Sequence, residues 1–334
     1  MGAPLSELTV VIITWHSAED LPPLLASLAS VLNAGTELVV VENASGDATP
    51  ALVRAEVPGA TVIVNTENRG FAAAANQGLA ASRGAFVLFL NPDTVVQHDA
   101  VQKALAHLAA DPLIGVLGCR TVNEDGTPQP TVDRFHTVAG LLTEALTSRC
   151  GLGSRPRGRS PATTGDVEWV YGSFLLCRRE VLAAVGGFDE AYDMYGEDLD
   201  LCHRVRAAGF RVVFLAEAVI MHRGNRSGAR RYGRQRDFEA LKGTLRFFRR
   251  RHGVGAERRF RIVAGTSFLA KAGLSGIRAL GPDRQRAAES ARLYARMAWL
   301  CAVGDPAAAA DGEFSAAADG QAAGRRLRPR RARG

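Results

Sequence analysis

The stretch FVLFLNPDTVV, Phe86–Val96, decides how this chain is read. Five apolar residues run unbroken and then give way to Asn91, Pro92 and Asp93. Such a run suits a strand buried on both faces. Proline cannot continue it, and the first charge past its end is the carboxylate of Asp93. In open α/β sheets, ligands bind at the carboxyl ends of the strands, where the strand order reverses. Asp93 is therefore a candidate binding group, though Asn, Pro and Asp are also ordinary turn formers. The stretch alone does not choose between the two.

Working outward, strands and helices alternate. Residues 8–15, 37–43, 60–65 and 86–90 are predicted strands. Residues 21–32, 48–57 and 70–84 lie between them with helical spacing of their apolar side chains. This order predicts an α/β fold with a doubly wound, mostly parallel sheet. A helix over 99–110 and a strand over 114–120 follow. Residues 148–166, rich in Gly, Pro, Ser and Arg, read as a mobile loop. A helix opens at Glu197 and ends at Gly209, a short strand covers 211–215, and another strand ends at His222. Beyond about residue 223 arginines become dense and the pattern turns helical. The expected division is 1–228, then a basic helical module over 229–303, then a disordered Ala/Gly/Arg-rich tail over 304–334.

The chain has 334 residues, 47% of them hydrophobic, with 41 Lys and Arg against 34 Asp and Glu. The formal charge of +7 points to an anionic partner. Five cysteines are scattered without a C-x-x-C pair, which predicts reduced thiols in a cytoplasmic protein. Neither a signal peptide nor an apolar run long enough to cross a bilayer is seen. A membrane-bound substrate would then be met from the inner face of the membrane. The stretch 260–281 mixes apolar residues with Lys271 and Arg278. It reads equally as a helix lying in a membrane interface or as a core helix with a solvated basic face.

Further groups could carry chemistry. Glu42 ends the second strand, on the same predicted rim as Asp93. A carboxylate there accepts ribose hydroxyls or base N–H groups, or joins a diphosphate through a divalent cation. Glu197, Asp198 and Asp200 suit a helix start on electrostatic grounds, and Asp198 equally suits a general base. His222 at a strand end is either structural or a metal ligand, and imidazole favours Mn²⁺ over Mg²⁺. A dehydrogenase would need G-x-G-x-x-G after the first strand, where this chain has WHSAEDL. A non-enzymatic membrane or nucleic-acid binder would explain the arginines but not the carboxylates and His222 together.

Assembled, residues 8–228 resemble the family 2 glycosyltransferases, which have the GT-A fold. The likeness is strongest to bacterial rhamnosyltransferases acting on polyprenyl-linked glycan precursors. It rests on VVIITWHSAEDL, VVVENASGDATP, NTENRGFAAAANQGLAASRGAFVLFLNPDT and the long stretch GSFLLCRREVLAAVGGFDEAYDMYGEDLDLCHRVRAAGFRVVFLAEAVIMHRG, in that order. The resemblance implies that Thr14, Glu42, Asn43, Asn68, Gly70 and Asn76 hold the nucleotide. It implies that Asp93 and His222 hold Mg²⁺ or Mn²⁺, and that Asp198 is the catalytic base. Trp169, Gly172 and Glu197 fall near the acceptor or behind the base. The family usually has Asp at Glu42, Tyr-Asn at Trp15 and His16, and an apolar residue at Arg69. The implied reaction inverts the anomeric centre of a nucleotide-diphosphate sugar, dTDP-L-rhamnose above other dTDP-, UDP- or GDP-sugars. The implied acceptor is a polyprenyl-linked glycan; nucleic acid is not an expected partner.

Overall fold

The computed structural model describes residues 7–32, 35–140, 142–143, 160–224, 231–281 and 284–305. The predicted alternation is present: β1 (Leu8–Thr14), α1 (Leu21–Leu32), β2 (Glu37–Glu42), α2 (Thr49–Glu56), β3 (Thr61–Val64), α3 (Gly70–Ala81) and β4 (Phe86–Leu90). Every residue of β1 and β4 is buried, as their unbroken apolar runs require. Then come β5 (Thr94–Val96), α4 (Ala100–Ala110), β6 (Ile114–Val122), β7 (Val132–Asp133), β8 (Gly165–Asp166), β9 (Trp169–Val170), β10 (Phe174–Arg178) and α5 (Arg179–Val185). The sheet-bearing part closes with α6 (Glu197–Ala207) and β11 (Arg211–His222).

The main sheet runs β3-β2-β1-β4-β10-β6-β11-β5, with β8 paired to β11. Strands β3, β2, β1 and β4 are parallel, as are β6 and β11. Two details correct the sequence reading. β10 is antiparallel to both β4 and β6: the chain enters it from the rim where β4 ends, with Asn91 N–H donating to Ser173 O at 3.2 Å. The stretches 211–215 and 219–222 are one strand, carried past Ala216–Ala218 by a register shift against β6. Of the predicted loop 148–166, residues 148–159 lie outside the described residues, while Gly165 and Asp166 pair with Phe214 and Val213.

One apolar layer joins β1, β2 and β4 to α1 and α4; a second, on the opposite face, packs α3, α5 and α6. Beyond residue 231 the chain forms α7 (Arg236–Phe247), a π-helical turn Phe248–His252, α8 (Gly253–Arg278) and α9 (Arg284–Val303). Their core, including Leu245, Phe247, Phe260 and Phe268, meets Leu199 of α6. A buried ionic clamp strengthens that seam. Arg251 donates to both Asp200 oxygens at 2.5 and 3.1 Å, and Arg204 donates to Asp200 at 2.7 Å. Burial alone would raise the Asp200 carboxyl; the two guanidinium groups hold it below the usual range. Of the predicted tail, 306–334 lies outside the described residues, while Asp305 is buried and ion-paired to Arg246. The described cysteines, Cys119, Cys177, Cys202 and Cys301, are free thiols in buried positions.

Candidate active site

Parallel register sets three strand ends side by side. Thr14 pairs with Glu42 across β1 and β2, and Ile12 pairs with Leu90 across β1 and β4. Beyond them opens a cavity lined by Thr14, Trp15, Asn43, Asn68, Asp93 and Arg231, among others. Asp93 thus lies on the wall of a concave surface at the rim of the sheet.

The wall on the β1–β2 side is built from backbone-directed amides. Asn43 donates to Asn68 Oδ1 and Gly70 O, and its own oxygen accepts the Arg69 N–H. Asn68 in turn caps the Gly70 N–H at 3.0 Å. Gly70 has φ +78°, and an added Cβ would press on the Asp193 carboxylate and lie 2.8 Å from the Asp193 carbonyl oxygen. These residues hold the turn into α3 in shape. The Thr14 hydroxyl points back to Val41 O at 3.4 Å. The Glu42 carboxylate is engaged by Ser45 through both its N–H and its hydroxyl. Asn76, like Glu42 and Gly70, is not among the residues lining the cavity; its amide is bonded to Phe188 N–H, Phe188 O and Glu190. It fastens the segment that leads to α6.

Asp93, on the cavity wall, has His222 beside it. Antiparallel pairing of β5 and β11 sets His222 opposite Thr94, and Arg223 N–H donates to Asp93 O at 2.9 Å. His222 Nε2 lies 3.2 Å from Asp93 Oδ1. The tautomer follows from a residue that sequence reasoning missed. Gln129 Nε2 donates to the carbonyl of His222 at 2.7 Å, and a carbonyl can only accept. The amide oxygen of Gln129 therefore faces His222 Nδ1, at 3.0 Å, and accepts its proton. In neutral His222 the buried Nε2 is then a bare lone pair, without a hydrogen bond, aimed at a carboxylate oxygen. Two lone pairs so close repel unless a proton or a cation lies between them. A divalent ion satisfies both, with Gln129 orienting the imidazole from behind. Among the described residues no cluster of three or more His, Cys, Asp or Glu could hold a metal alone. A pair of protein ligands completed by substrate phosphates is the usual mode for Mg²⁺, so the residues fit the ion the sequence implies.

Asp198 sits in the first turn of α6, after Gly196 at φ +98°. Its oxygens accept N–H groups of Gly172 at 2.9 Å and Leu199 at 2.8 Å. The Trp169 indole N–H, with no hydrogen bond of its own, lies beside the same carboxylate. Trp169, Gly172 and Glu197 are thus gathered around Asp198, and Gly172 adjoins Ser173, which is bonded to the β4 exit. Burial raises the Asp198 carboxyl against the pull of these donors. Glu197, buried beside that charge, is pushed up to about 8. Its Oε2 has no donor, whereas Asp198 has two backbone donors. Burial and the neighbouring Asp198 charge favour the protonated form of Glu197, while the backbone donors favour the ionised form of Asp198. A raised carboxylate is equipped to take a proton.

Arg231 and Met194 also line the cavity and were not singled out in the sequence. Arg231 donates to Asn68 Oδ1 at 3.0 Å and is paired with Asp193 at 2.9 Å. Tyr232 donates to Asp193 at 2.7 Å. Their only sequence signal was a general density of arginines.

Comparison with known proteins agrees with this architecture. The family description "Glycosyl transferase family 2" matches residues 9–186, and "Glycosyl transferase family 21" matches 153–237. An N-acetylglucosaminyl-diphospho-decaprenol L-rhamnosyltransferase of Mycobacterium tuberculosis is 28% identical over 241 residues, 64% of this chain and 75% of that protein. A pre-mycofactocin glycosyltransferase of the same species is 33% identical over 66% of this chain, which spans 43% of its length. Among solved structures, a mannosyltransferase of Pyrobaculum calidifontis in complex with GDP-Man and Mn²⁺ aligns over 90% of both chains with TM-score 0.50 and 20% identity. GalNAc-T7 with UDP, GalNAc and Mn²⁺ aligns over 72% of this chain and 47% of its own, with TM-score 0.52 and 15% identity. These likenesses establish the GT-A fold. Since the first family description covers more than half of the chain, including the strands and turns that frame the cavity, the chain belongs to glycosyl transferase family 2.

Proposed function

We propose that this glycosyltransferase transfers L-rhamnose from dTDP-L-rhamnose to a lipid-linked glycan acceptor in cell-wall or surface-polysaccharide assembly. We further propose that it inverts the anomeric centre and depends on Mg²⁺ or Mn²⁺. The observation that supports the chemistry is Asp93 on the wall of the rim cavity, with the Nε2 of His222 3.2 Å from its carboxylate. The rhamnose donor is supported by what the 28% identical relative is named for.

In this reading the nucleotide lies over Thr14, Trp15 and Asn68, with the diphosphate toward Asp93. Asp93 and His222 would hold a divalent ion, which would neutralise charge on the departing diphosphate. Arg231 is a second source of positive charge on the cavity wall, available to the diphosphate on release from Asp193. The acceptor hydroxyl attacks the anomeric carbon from the face opposite the diphosphate, forming the new C–O bond as the old one breaks. Asp198 takes the hydroxyl proton. Gly172 and Leu199 N–H groups fix the orientation of its carboxylate, and protonated Glu197 spares it a second neighbouring charge. A β-linked donor gives an α-linked product, and dTDP leaves. The named ligands of the solved neighbours, UDP and GDP-Man, support a second reading with another nucleotide sugar as donor.

Thermal-shift screening of dTDP-, UDP- and GDP-sugars with Mg²⁺ or Mn²⁺ tests the donor directly, since a ligand bound to the native state raises Tm. The proposal expects the largest rise with dTDP-L-rhamnose and metal, followed by transfer to a polyprenyl-diphosphate sugar. A larger rise with a UDP- or GDP-sugar, and turnover of it, replaces the donor.

A further inference from the structure

Helix α8 has two faces of different character. One is packed: Ala256, Phe260, Ala264 and Phe268 belong to the core shared with α9 and α7. On the opposite face Ile262 (67% exposed), Leu269 (62%) and Ile277 (68%) stand in solvent, and Leu280 (86%) follows in the turn just past the helix end. At 100° per residue the three helical positions fall within about 80° of one another, a single stripe along the helix. Leu274 flanks it, also exposed. On α9, Trp299 is 59% exposed. It lies level with the first half of the stripe, because Cys301 packs against Gly265 and its carbonyl accepts the Arg261 guanidinium. An indole and four large aliphatic side chains in water are too concentrated to be the scattered apolar residues of an ordinary surface.

The charge around the stripe is of one sign. Arg258, Arg259 and Arg278 are exposed at its two ends, and Arg292 is exposed on α9 two turns before Trp299. The one acid within α8, Glu257, is buried and paired with Arg249 and Arg261. The exposed face of α8 thus carries no negative charge at all. This argues against a second copy of the chain as the occupant. Parallel pairing of two α8 helices sets each arginine against itself, and antiparallel pairing about Leu269 sets Arg259 against Arg278. The chain's own last ten residues, with six arginines, meet the same repulsion. An anionic lipid surface meets neither objection. It takes the apolar side chains among its acyl chains and the arginines at its headgroups, with tryptophan at the boundary. No helix among the described residues is long and apolar enough to cross a membrane, so this contact is in the plane of the surface.

We infer that the outer face of α8, with Trp299 of α9, is a docking surface for an anionic phospholipid bilayer. The clamp of Arg251 on Asp200 ties this surface rigidly to α6, two residues from Asp198. A protein docked through α8 therefore presents its base side in a fixed relation to the membrane, where a lipid-linked acceptor would be anchored. The inference stands on α8 and α9 and does not depend on the identity of the donor.

The test is vesicle flotation of the full chain with phosphatidylcholine vesicles and with vesicles containing 30% phosphatidylglycerol (roughly the charge density of an anionic leaflet). The full chain should float with the anionic vesicles, and less so at high salt. The quadruple variant Ile262→Ser, Leu269→Ser, Ile277→Ser, Leu280→Ser alters only exposed side chains, so its Tm should stay near wild type. Its partitioning should fall by about tenfold or more. Arg258→Glu with Arg259→Glu should lose the preference for anionic over neutral vesicles. Donor binding, read by thermal shift, should be unchanged in both, which separates failure here from failure of the donor assignment. A folded quadruple variant that floats as well as wild type overturns the inference. So does a wild-type dimer in sedimentation velocity that the quadruple substitution dissociates while the wild-type chain ignores vesicles.

Discussion

Gln129 should control metal binding without touching the metal. Its side chain makes three contacts: donation to His222 O at 2.7 Å, donation to Asn123 Oδ1 at 2.7 Å, and acceptance from His222 Nδ1 at 3.0 Å. Gln129→Ala removes all three. Gln129 is only half-buried, so water replaces part of what is lost, and the stability cost should be about 1–2 kcal/mol. The functional cost is larger. Without the amide oxygen, nothing holds the proton on Nδ1, and the imidazole can place a proton on Nε2 and donate it to Asp93. That internal hydrogen bond competes with the cation. Loss of such an orienting partner typically weakens metal affinity by about 10–100-fold, or about 1.4–2.8 kcal/mol. Gln129→Glu keeps an acceptor at Nδ1 and should retain affinity closer to wild type. Mn²⁺ titration by electron paramagnetic resonance, at saturating dTDP, reads this without any turnover. Unchanged Mn²⁺ affinity in a folded Gln129→Ala protein would refute the tautomer argument.

Other expectations follow from the same geometry. Asp93→Asn should fold normally and lose about two or more orders of magnitude in turnover; full activity, or wild-type activity in excess chelator, would exclude a metal at Asp93. Glu197 is raised in the folded state to about 8 from 4.5, so the unfolded chain releases this proton first as pH rises. Stability should then be highest below about pH 4.5 with respect to this group and decline as pH rises to about 8. Glu197→Gln should flatten that decline in a Tm-versus-pH series while retaining transfer at pH 7; an unchanged slope would show that Glu197 is ionised in the fold. Gly70→Ala, strained at positive φ and pressed on Asp193, should cost about 1–3 kcal/mol and weaken donor binding, measured by denaturant unfolding and calorimetry; wild-type values in both would mean that the turn relaxes freely.

Much of this architecture was legible in the chain itself. Apolar runs such as those in β1 and β4 have few alternatives to a buried strand, and Pro92 marks where β4 stops. Asp93, Asp198 and His222 were found because each stands at the end of a predicted element, where side chains face solvent and ligands. The antiparallel course of β10 was not legible, since strand direction depends on which rim the chain enters from, and 171–174 carries no mark of that. The continuity of β11 was hidden by Ala216–Ala218, where the polar Glu217 interrupts the apolar run. Asn76 was assigned to the nucleotide only through the family resemblance, and its structural role in the fold was not foreseen. Its partners, Phe188 and Glu190, are more than a hundred residues away and leave no local trace. Gln129 and Arg231 were missed for the same reason: neither lies at the end of an apolar run, and each acquires a role only through a strand or turn distant in sequence.

The measurement that bears most directly on the account pairs binding with chemistry in Asp198→Asn. Asn keeps nearly the shape of Asp and can still accept one of the Gly172 and Leu199 N–H groups through its single oxygen, the other losing its acceptor. Glu197 is one residue away and Asp200 is clamped by Arg204 and Arg251, so neither is directed to replace it. Calorimetry should give near-normal affinity for the sugar-nucleotide donor with metal present. Transfer to a polyprenyl-diphosphate sugar should fall by about two to four orders of magnitude. Transfer by Asp198→Asn at more than roughly a tenth of the wild-type rate would place the catalytic base elsewhere.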